Sequence, residues 1–587
     1  MSTTSPSSAG RSQAQDSRRR RSREAPLDWT AALDELATVA ADALDAGNPF
    51  AALRRRELAR VLALGIGRLA ARPIPVARQS AKMALALGRG ALGAGDIDVD
   101  PQDRRFSDPA WRENPAFRRI LAVYLAWREA LLELVDRSGL EGAKAEQARF
   151  AVMQLTEAAA PTNVLPTNPA AVKRVYESGG LSLLRGARNA WGDVRHNRGM
   201  PAQVKAAAFR VGRDLAATPG QVVHRNSVFE LLQYSPAIES VHERGLLVVS
   251  SQVNKYYIAD LSPGRSLVEY AASEGVQPFA ISWRNPTAAQ HAWNLDKYVE
   301  SVSEAIDVIT EITGVDSVNL LGMCGGGVIT ALLLAHLADA GNDRVASATF
   351  LVTVLDWSVP SQVDIFSSPR LLGVAQRRVD DRGVLDGRDL SVFFSWLRPT
   401  ELVWSFYVNQ WLMGDEPPSS DLLCWNADST RLPAGVYHDY VRQFRDNPLP
   451  QSGMASALGT PVDLRRIQTD SFVVAGQRDH ITPWPACYQT TQLIGGESEF
   501  VLTSSGHVAT VVSGPSTTRA SFRAGRPSGL SPEQFLSETP SQDGSWWPSW
   551  TTWLAQRSGA RRPAPKSLGS LAHPPLEPAP GRYVHQC

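Results

Sequence analysis

At 587 residues and 63.7 kDa the chain is too long for a single compact core, and at roughly 150 residues per domain it should hold about two to four domains. A 43% apolar share, 20% charged residues and a mean hydropathy of -0.19 describe a globular chain and exclude global disorder or a collagen-like repeat. Sixty basic against 59 acidic residues set up no field for nucleic acid. Four cysteines without a CxxC pair, and ten histidines without HExxH spacing, exclude a disulfide framework and leave little basis for a metal site.

Residues 1–26 carry Arg11, Arg18, Arg19, Arg20, Arg21 and Arg23 against Asp16 and Glu24, with almost no large apolar side chain. Such a segment cannot bury anything and is expected to be a disordered basic tail. An arginine run could touch an anionic surface, but a solvated tail is the simpler reading. It lacks the apolar core of a secretory signal, and arginine interrupts the best apolar stretch, Val61 to Ala77, so neither export nor membrane spanning is expected.

From Leu27 to about residue 224 the pattern is helical. Phe117 to Val135 repeats apolar residues at three and four, as an amphipathic helix does. Trp111, Trp127 and Trp191 in this region read as packing residues. After His224 the pattern changes, and residues 225–587 form the expected catalytic domain. Six short apolar runs alternate with helical stretches: Leu246–Ser250, Pro278–Trp283, Ser317–Leu321, Thr349–Val354, Ser471–Ala475 and Glu499–Thr503. Runs buried on both faces and separated by helices predict a parallel sheet with helices on both sides. The long gap between the fourth and fifth runs reads as helix and loop, a lid inserted at about 357–460. Trp546, Trp547, Trp550 and Trp553 fall on one face of a final helix and predict packing against the sheet. The last thirty residues are Pro-rich and read as extended.

The sharpest local signal is Gly322-Met323-Cys324-Gly325-Gly326, between the third run and a helical stretch beginning at Val328. This is a G-x-nucleophile-x-G elbow with cysteine in the serine position. The turn is tight, so Gly322 and Gly326 must lack side chains. The following helix N-terminus favours a thiolate, and the amide of Gly325 points where an oxyanion would form. By itself the string also fits a glycine-rich turn with a buried cysteine. The remaining chain favours the elbow, because an acid and then a histidine follow just past later strands, at Asp479 and His507. His480 is a competing base without the strand–loop–Gly-His setting, and reads as supporting or structural. Cys424 and Cys487 read as buried apolar residues. A thiol accepting an acyl group from a thioester forms another thioester, nearly thermoneutrally, and the product stays reactive toward a hydroxyl. Cysteine therefore favours acyl transfer over simple ester hydrolysis, and an apolar lid would keep water out.

With those residues in place, the chain resembles the polyhydroxyalkanoate synthases, which have an α/β-hydrolase fold with an inserted lid behind a mostly helical N-terminal domain. The resemblance rests on Ser107–Trp111, Thr162–Pro169, Glu177–Gly180, Asn254–Tyr257, Ser282–Pro286, the cysteine elbow, Trp425–Pro433, Asp479–Trp484 and Ser505–His507. Arg398–Trp404, Gly414–Pro418, Gln252–Asn254 and Gly387–Asp389 are most similar to the single-subunit class II enzymes, which favour medium-chain substrates; class I members share much of this.

The resemblance implies polymerisation of (R)-3-hydroxyacyl-CoA into a polyester with release of CoA. It implies no cofactor, since CoA is the leaving group, and no metal. Cys324 would be acylated. His507 would deprotonate it and later assist attack by the hydroxyl, and Asp479 would either orient His507 or help activate that hydroxyl. The second oxyanion amide would be near Val253. A homodimer at the surface of cytoplasmic polyester granules, with room for granule-associated protein partners, is also implied. Ser250-Ser251, Met323, Gly325 and Gly327 depart from the family pattern. A cysteine-elbow thioesterase and a non-enzymatic granule scaffold are the competing readings; the first leaves the shared strings outside the triad unexplained, and an intact triad argues against the second.

Overall fold

The computed structural model describes residues 84–586 apart from 86, 94–96, 101–102, 138–142, 206–207, 360–368 and 528. The expected tail, the helical pattern before residue 84 and the Val61–Ala77 stretch lie outside the described residues.

The six apolar runs become six adjacent parallel strands. Eleven strands make the main sheet: β1 Gly220–Arg225, β2 Phe229–Tyr234, β3 Gly245–Val249, β4 Gln277–Trp283, β5 Val318–Met323, β6 Val345–Leu351, β7 Asp470–Gly476, β8 Ser498–Thr503, β9 Ser521–Gly525, β10 Gln542–Asp543 and β11 Glu577–Pro578. Their order is β10-β9-β8-β7-β6-β5-β3-β4-β2-β1-β11, parallel from β8 to β4 and antiparallel outside it. The inner strands are buried along their whole length, as continuous Val/Leu/Phe runs require when helices cover both faces.

Two expectations shift. The strand read as Thr349–Val354 ends at Leu351, because Val352 takes a positive φ of 47°, a conformation that ends the ladder and is costly for a β-branched residue. Its N–H donates to Val474 O at 2.8 Å, which ties it to β7 beside the elbow. The helical pattern also stops earlier than residue 224, since β1 occupies Gly220–Arg225.

The helix expected over Phe117 to Val135 spans Pro115–Asp136. Asn114 caps it by accepting from Ala116 N at 2.9 Å, and Pro115 occupies the first turn, where its missing N–H costs nothing. The Trp111 ring is buried between Phe106 and Phe117, at centroid distances of 5.3 and 5.8 Å. Trp191 corrects the packing expectation, because it is 66% exposed. Its helix, Leu181–His196, turns Gly186, Asn189 and Asp193 toward the lid and Trp191 away from it. The tryptophans of the last helix, Trp547–Ala555, pack as expected. Trp546, Trp547, Trp550 and Trp553 are buried, and Trp550 Nε1 donates to Thr349 Oγ1 on β6 at 3.0 Å.

The β6–β7 connection carries the helices Pro369–Arg382, Gly387–Leu397 and Ala434–Asp446, and the π-helical turns Thr400–Trp404 and Val408–Leu412. The N-terminal helices and the segment that follows them grip this insertion. Gln154 Nε2 donates to Trp396 O (2.7 Å), Gln203 Nε2 to Leu402 O (2.7 Å), Asn189 Nδ2 to Asp415 O (2.9 Å) and Trp411 Nε1 to Asp193 Oδ2 (2.8 Å). A Cβ on Gly186 would overlap the Trp411 carbonyl. Gly186→Ala should therefore force helix and lid apart and destabilise the protein by about 1–3 kcal/mol. A thermal scan should show a lowered midpoint, and an unchanged midpoint would mean that this contact yields freely.

Candidate active site

β5 runs straight into the elbow. Cys324 has φ 51° and ψ -118°, an unfavourable conformation for a residue with a side chain, held by Cys324 N donating to Leu351 O at 2.9 Å. A Cβ on Gly322 would stand 2.6 Å from Gly327 Cα, and one on Gly326 would overlap the carbonyl of Val249 at the end of β3. Helix and strand approach too closely there for any side chain. The turn leads into the helix Gly325–Asp339. Gly327 is the third glycine for the same reason, since a Cβ on it would overlap the Thr353 side chain.

The acid and the base come from the ends of β7 and β8. Asp479 follows β7, and His507 opens the short helix His507–Val512 after β8. His507 Nδ1 donates to Asp479 Oδ2 at 2.7 Å. The carboxylate is otherwise saturated: Oδ1 accepts from Ile481 N (2.8 Å) and Thr482 N (2.9 Å), and Oδ2 from Thr482 Oγ1 (2.6 Å). Thr482 Oγ1 also lies 3.0 Å from His507 Nδ1. Thr482 belongs to the Asp479–Trp484 string, but its role as a brace for both partners was not foreseen; a Thr three residues after an acid in a loop is the signal that could have shown it.

Burial alone would raise the Asp479 carboxyl, but His507 and the Thr482 bonds outweigh it and hold it below the ordinary carboxylate value. Burial alone would lower His507, but the Asp479 charge, its hydrogen bond and the interaction with Cys324 bring it up to about 10. His480 goes the other way, to about 4, through burial and then the Arg398 charge, so it is neutral at neutral pH.

The sign of the His507 effect fixes a pH dependence of stability. Its folded value lies above the ordinary 6.5, so its contribution is complete below 6.5 and is lost as pH rises toward about 10. The Asp479 contribution is present above 3.8 and is lost as pH falls. In Asp479→Asn, the loss of thermal stability should be greatest between pH 3.8 and 6.5 and should narrow toward pH 10. Equal losses across that range in melting curves would contradict a charged pair.

Cys324 opens into a cavity of about 360 Å³ between sheet and lid, lined by Val253, Trp357, Phe393, Tyr437 and Phe444 among others. That volume is in the range of small-molecule sites, and the walls are almost wholly apolar. Gly325 and Val253 both face it, but the Val253 amide donates to Ser251 Oγ at 3.3 Å, within its own loop. Cys487, fully buried, and Cys424, partly buried, both lie outside this lining. Among the described residues no group of side chains could hold a metal ion, and no helix is long and apolar enough to cross a membrane.

Comparison with known proteins places the chain. Residues 102–271 match the family of the poly-beta-hydroxybutyrate polymerase (PhaC) N-terminus, and residues 259–512 match the alpha/beta hydrolase fold. Poly(3-hydroxyalkanoate) polymerase 1 of Ectopseudomonas oleovorans is 41% identical over 94% of this chain and 99% of its own length. The chain belongs to the poly(3-hydroxyalkanoate) polymerase family. Polymerase 2 of the same organism is 42% identical over 93% of this chain and 98% of its own. The polymerase subunit PhaC of Cupriavidus necator is 41% identical over 84% of this chain and 85% of its own. The match to both Ectopseudomonas polymerases runs nearly end to end, in keeping with the class II resemblance. The chain is thus an acyltransferase-type polymerase built on a hydrolase fold.

Proposed function

We propose that this polymerase joins (R)-3-hydroxyacyl units from their CoA thioesters through a thioester on Cys324. The observation that carries the reading is that Cys324 opens into an apolar cavity beneath the lid while the His507–Asp479 pair, outside that lining, interacts with the thiol. The proton that Cys324 gives up resides on His507, which Asp479 holds as an imidazolium, and Sγ attacks the substrate carbonyl carbon as a thiolate. The carbonyl π pair moves onto oxygen, where the Gly325 amide stabilises it, with the Val253 amide joining if Ser251 turns aside. Collapse re-forms the carbonyl and breaks the carbon–sulfur bond to CoA, whose sulfur receives the proton from His507. The 3-hydroxyl of another unit then gives its proton to His507 and attacks the acyl-cysteine; an ester forms and the thiol is regenerated. No cofactor takes part.

The aromatic lining supports medium-length acyl chains over butyryl, since each buried methylene is worth about 0.8 kcal/mol. We extend the same reading to a homodimer working at the surface of cytoplasmic polyester granules, with no nucleic-acid partner. The test follows CoA release from (R)-3-hydroxybutyryl-CoA and (R)-3-hydroxyoctanoyl-CoA, with the solid product weighed beside the free acid. Polymer with CoA release, faster from the octanoyl substrate, is expected. Free hydroxy acid without polymer would make the protein a thioesterase instead.

A further inference from the structure

The lid helix Ala434–Asp446 brings Tyr440 down onto the elbow. The Tyr440 hydroxyl oxygen occupies the space where a Cβ on residue 325 would sit, so the two overlap as soon as Gly325 gains a side chain. The absence of a side chain at Gly325 leaves room for this hydroxyl beside Cys324. Tyr440 lines the same cavity as Cys324 and Gly325. Its oxygen accepts a hydrogen bond from Gln252 Nε2 at 2.6 Å, which leaves the phenol proton free to be donated. Gln252 is itself fixed, since it is buried and its backbone carbonyl accepts from Thr430 Oγ1 at 2.9 Å. Burial, and after it the neighbouring Cys324, keep the phenol well above the ordinary tyrosine value, so it remains a neutral donor throughout the working pH range. Meanwhile the Val253 amide is engaged by Ser251 Oγ.

We infer that the Tyr440 hydroxyl is an oxyanion donor of this enzyme, acting beside the Gly325 amide. The inference rests on the Cys324 acyl-transfer reading above. When Cys324 Sγ attacks, the carbonyl oxygen that gains charge at the Gly325 amide also receives a hydrogen bond from Tyr440. The same group serves the second half-reaction, when the incoming hydroxyl attacks the acyl-cysteine and charge returns to that oxygen. Because Tyr440 comes from the lid and Gly325 from the elbow, the oxyanion site is complete only with the lid seated. That would tie chemistry to a closed, water-poor cavity and guard the acyl thioester against hydrolysis.

The test is Tyr440→Phe, which keeps the ring that packs the lid and removes only the donor. With (R)-3-hydroxyoctanoyl-CoA, kcat for CoA release should fall about 10²-fold or more, with KM changed less than threefold and the melting midpoint held. Gly325→Ala, which displaces the hydroxyl, should lose a similar amount. Added to Tyr440→Phe, the alanine should cost much less than it does alone, because its tightest contact, the hydroxyl, is gone and only Ser251 Oγ at 2.9 Å stays within 3.0 Å. That non-additivity keeps the proposal testable even if one single variant folds poorly. A Tyr440→Phe enzyme within twofold of wild-type kcat would overturn the proposal, as would a loss carried by KM alone, or fully multiplicative losses in the double variant. CoA release unaffected by Cys324→Ala would instead overturn the nucleophile reading on which the proposal rests.

Discussion

Cys324→Ala should reduce CoA release from (R)-3-hydroxyoctanoyl-CoA by about 10⁴-fold or more, because removal of a nucleophile leaves only the binding and charge-stabilising parts of a site. The structure makes this the largest expected loss. Cys324 is the one thiol lining the cavity among the described residues, and its backbone is held at φ 51° by the elbow. An alanine fits the same turn, so the protein should remain folded with an unchanged thermal midpoint and still bind the CoA thioester. Measured side by side, wild type and variant should differ in turnover and hardly at all in stability. A variant that retained a tenth of the wild-type rate would show that another group attacks the thioester.

Asp479→Asn is expected to cost about 10³- to 10⁴-fold in turnover, the scale set by the buried acids of other hydrogen-bonded triads. Three groups besides His507 donate to this carboxylate, namely the Ile481 and Thr482 amides and the Thr482 hydroxyl. An asparagine can keep its oxygen on the two amides. Its NH2 would then face His507 Nδ1 and Thr482 Oγ1, so the ring loses its acceptor and takes the wrong tautomer. His507 should fall from about 10 toward the ordinary histidine value of 6.5. Titration of the ring protons by NMR should show that fall alongside the loss of rate. If the rate falls while the His507 titration stays put, Asp479 acts on the incoming hydroxyl rather than on His507.

The parts of this architecture legible in the sequence are those where a physical constraint leaves no choice. β3 to β8 are largely buried on both faces, and short runs dominated by apolar residues satisfy that burial, so all six could be located. The elbow was legible because Gly322 and Gly326 meet backbone on the other side, which no other residue tolerates. Asp479 and His507 followed from their positions just past two of those strands.

Of the flanking strands, β2 is fully buried but Glu230 and Gln233 interrupt its apolar run, and the others were hidden by exposure or shortness. β1 is only partly buried along its length, so its Val222-Val223 pair is the sole apolar signal, and β10 and β11 are two residues long. β11 draws the Pro-rich end of the chain onto the sheet edge, where Gln221 faces Pro578. The grip of the N-terminal helices on the lid was equally silent. It consists mostly of side-chain amides reaching carbonyls about two hundred residues away or more, as Gln154 reaches Trp396 and Asn189 reaches Gln410, and no local pattern encodes such pairs. Trp191 misled because a tryptophan on an amphipathic helix reads as core, whereas here the smaller residues of that helix face the lid. Tyr440 lies in the stretch read only as helix and loop of the lid, and only the third dimension sets its hydroxyl against Gly325.

The central claim is a covalent acyl group on Cys324, and the most direct measurement is its capture. The enzyme would be mixed with less than one equivalent of (R)-3-hydroxyoctanoyl-CoA, quenched in acid within the first turnover, digested and examined by mass spectrometry. The account predicts the 3-hydroxyoctanoyl mass on the peptide containing Cys324, appearing together with released CoA and removed by hydroxylamine. Released CoA with the acyl group on a different residue, or on none, would contradict it.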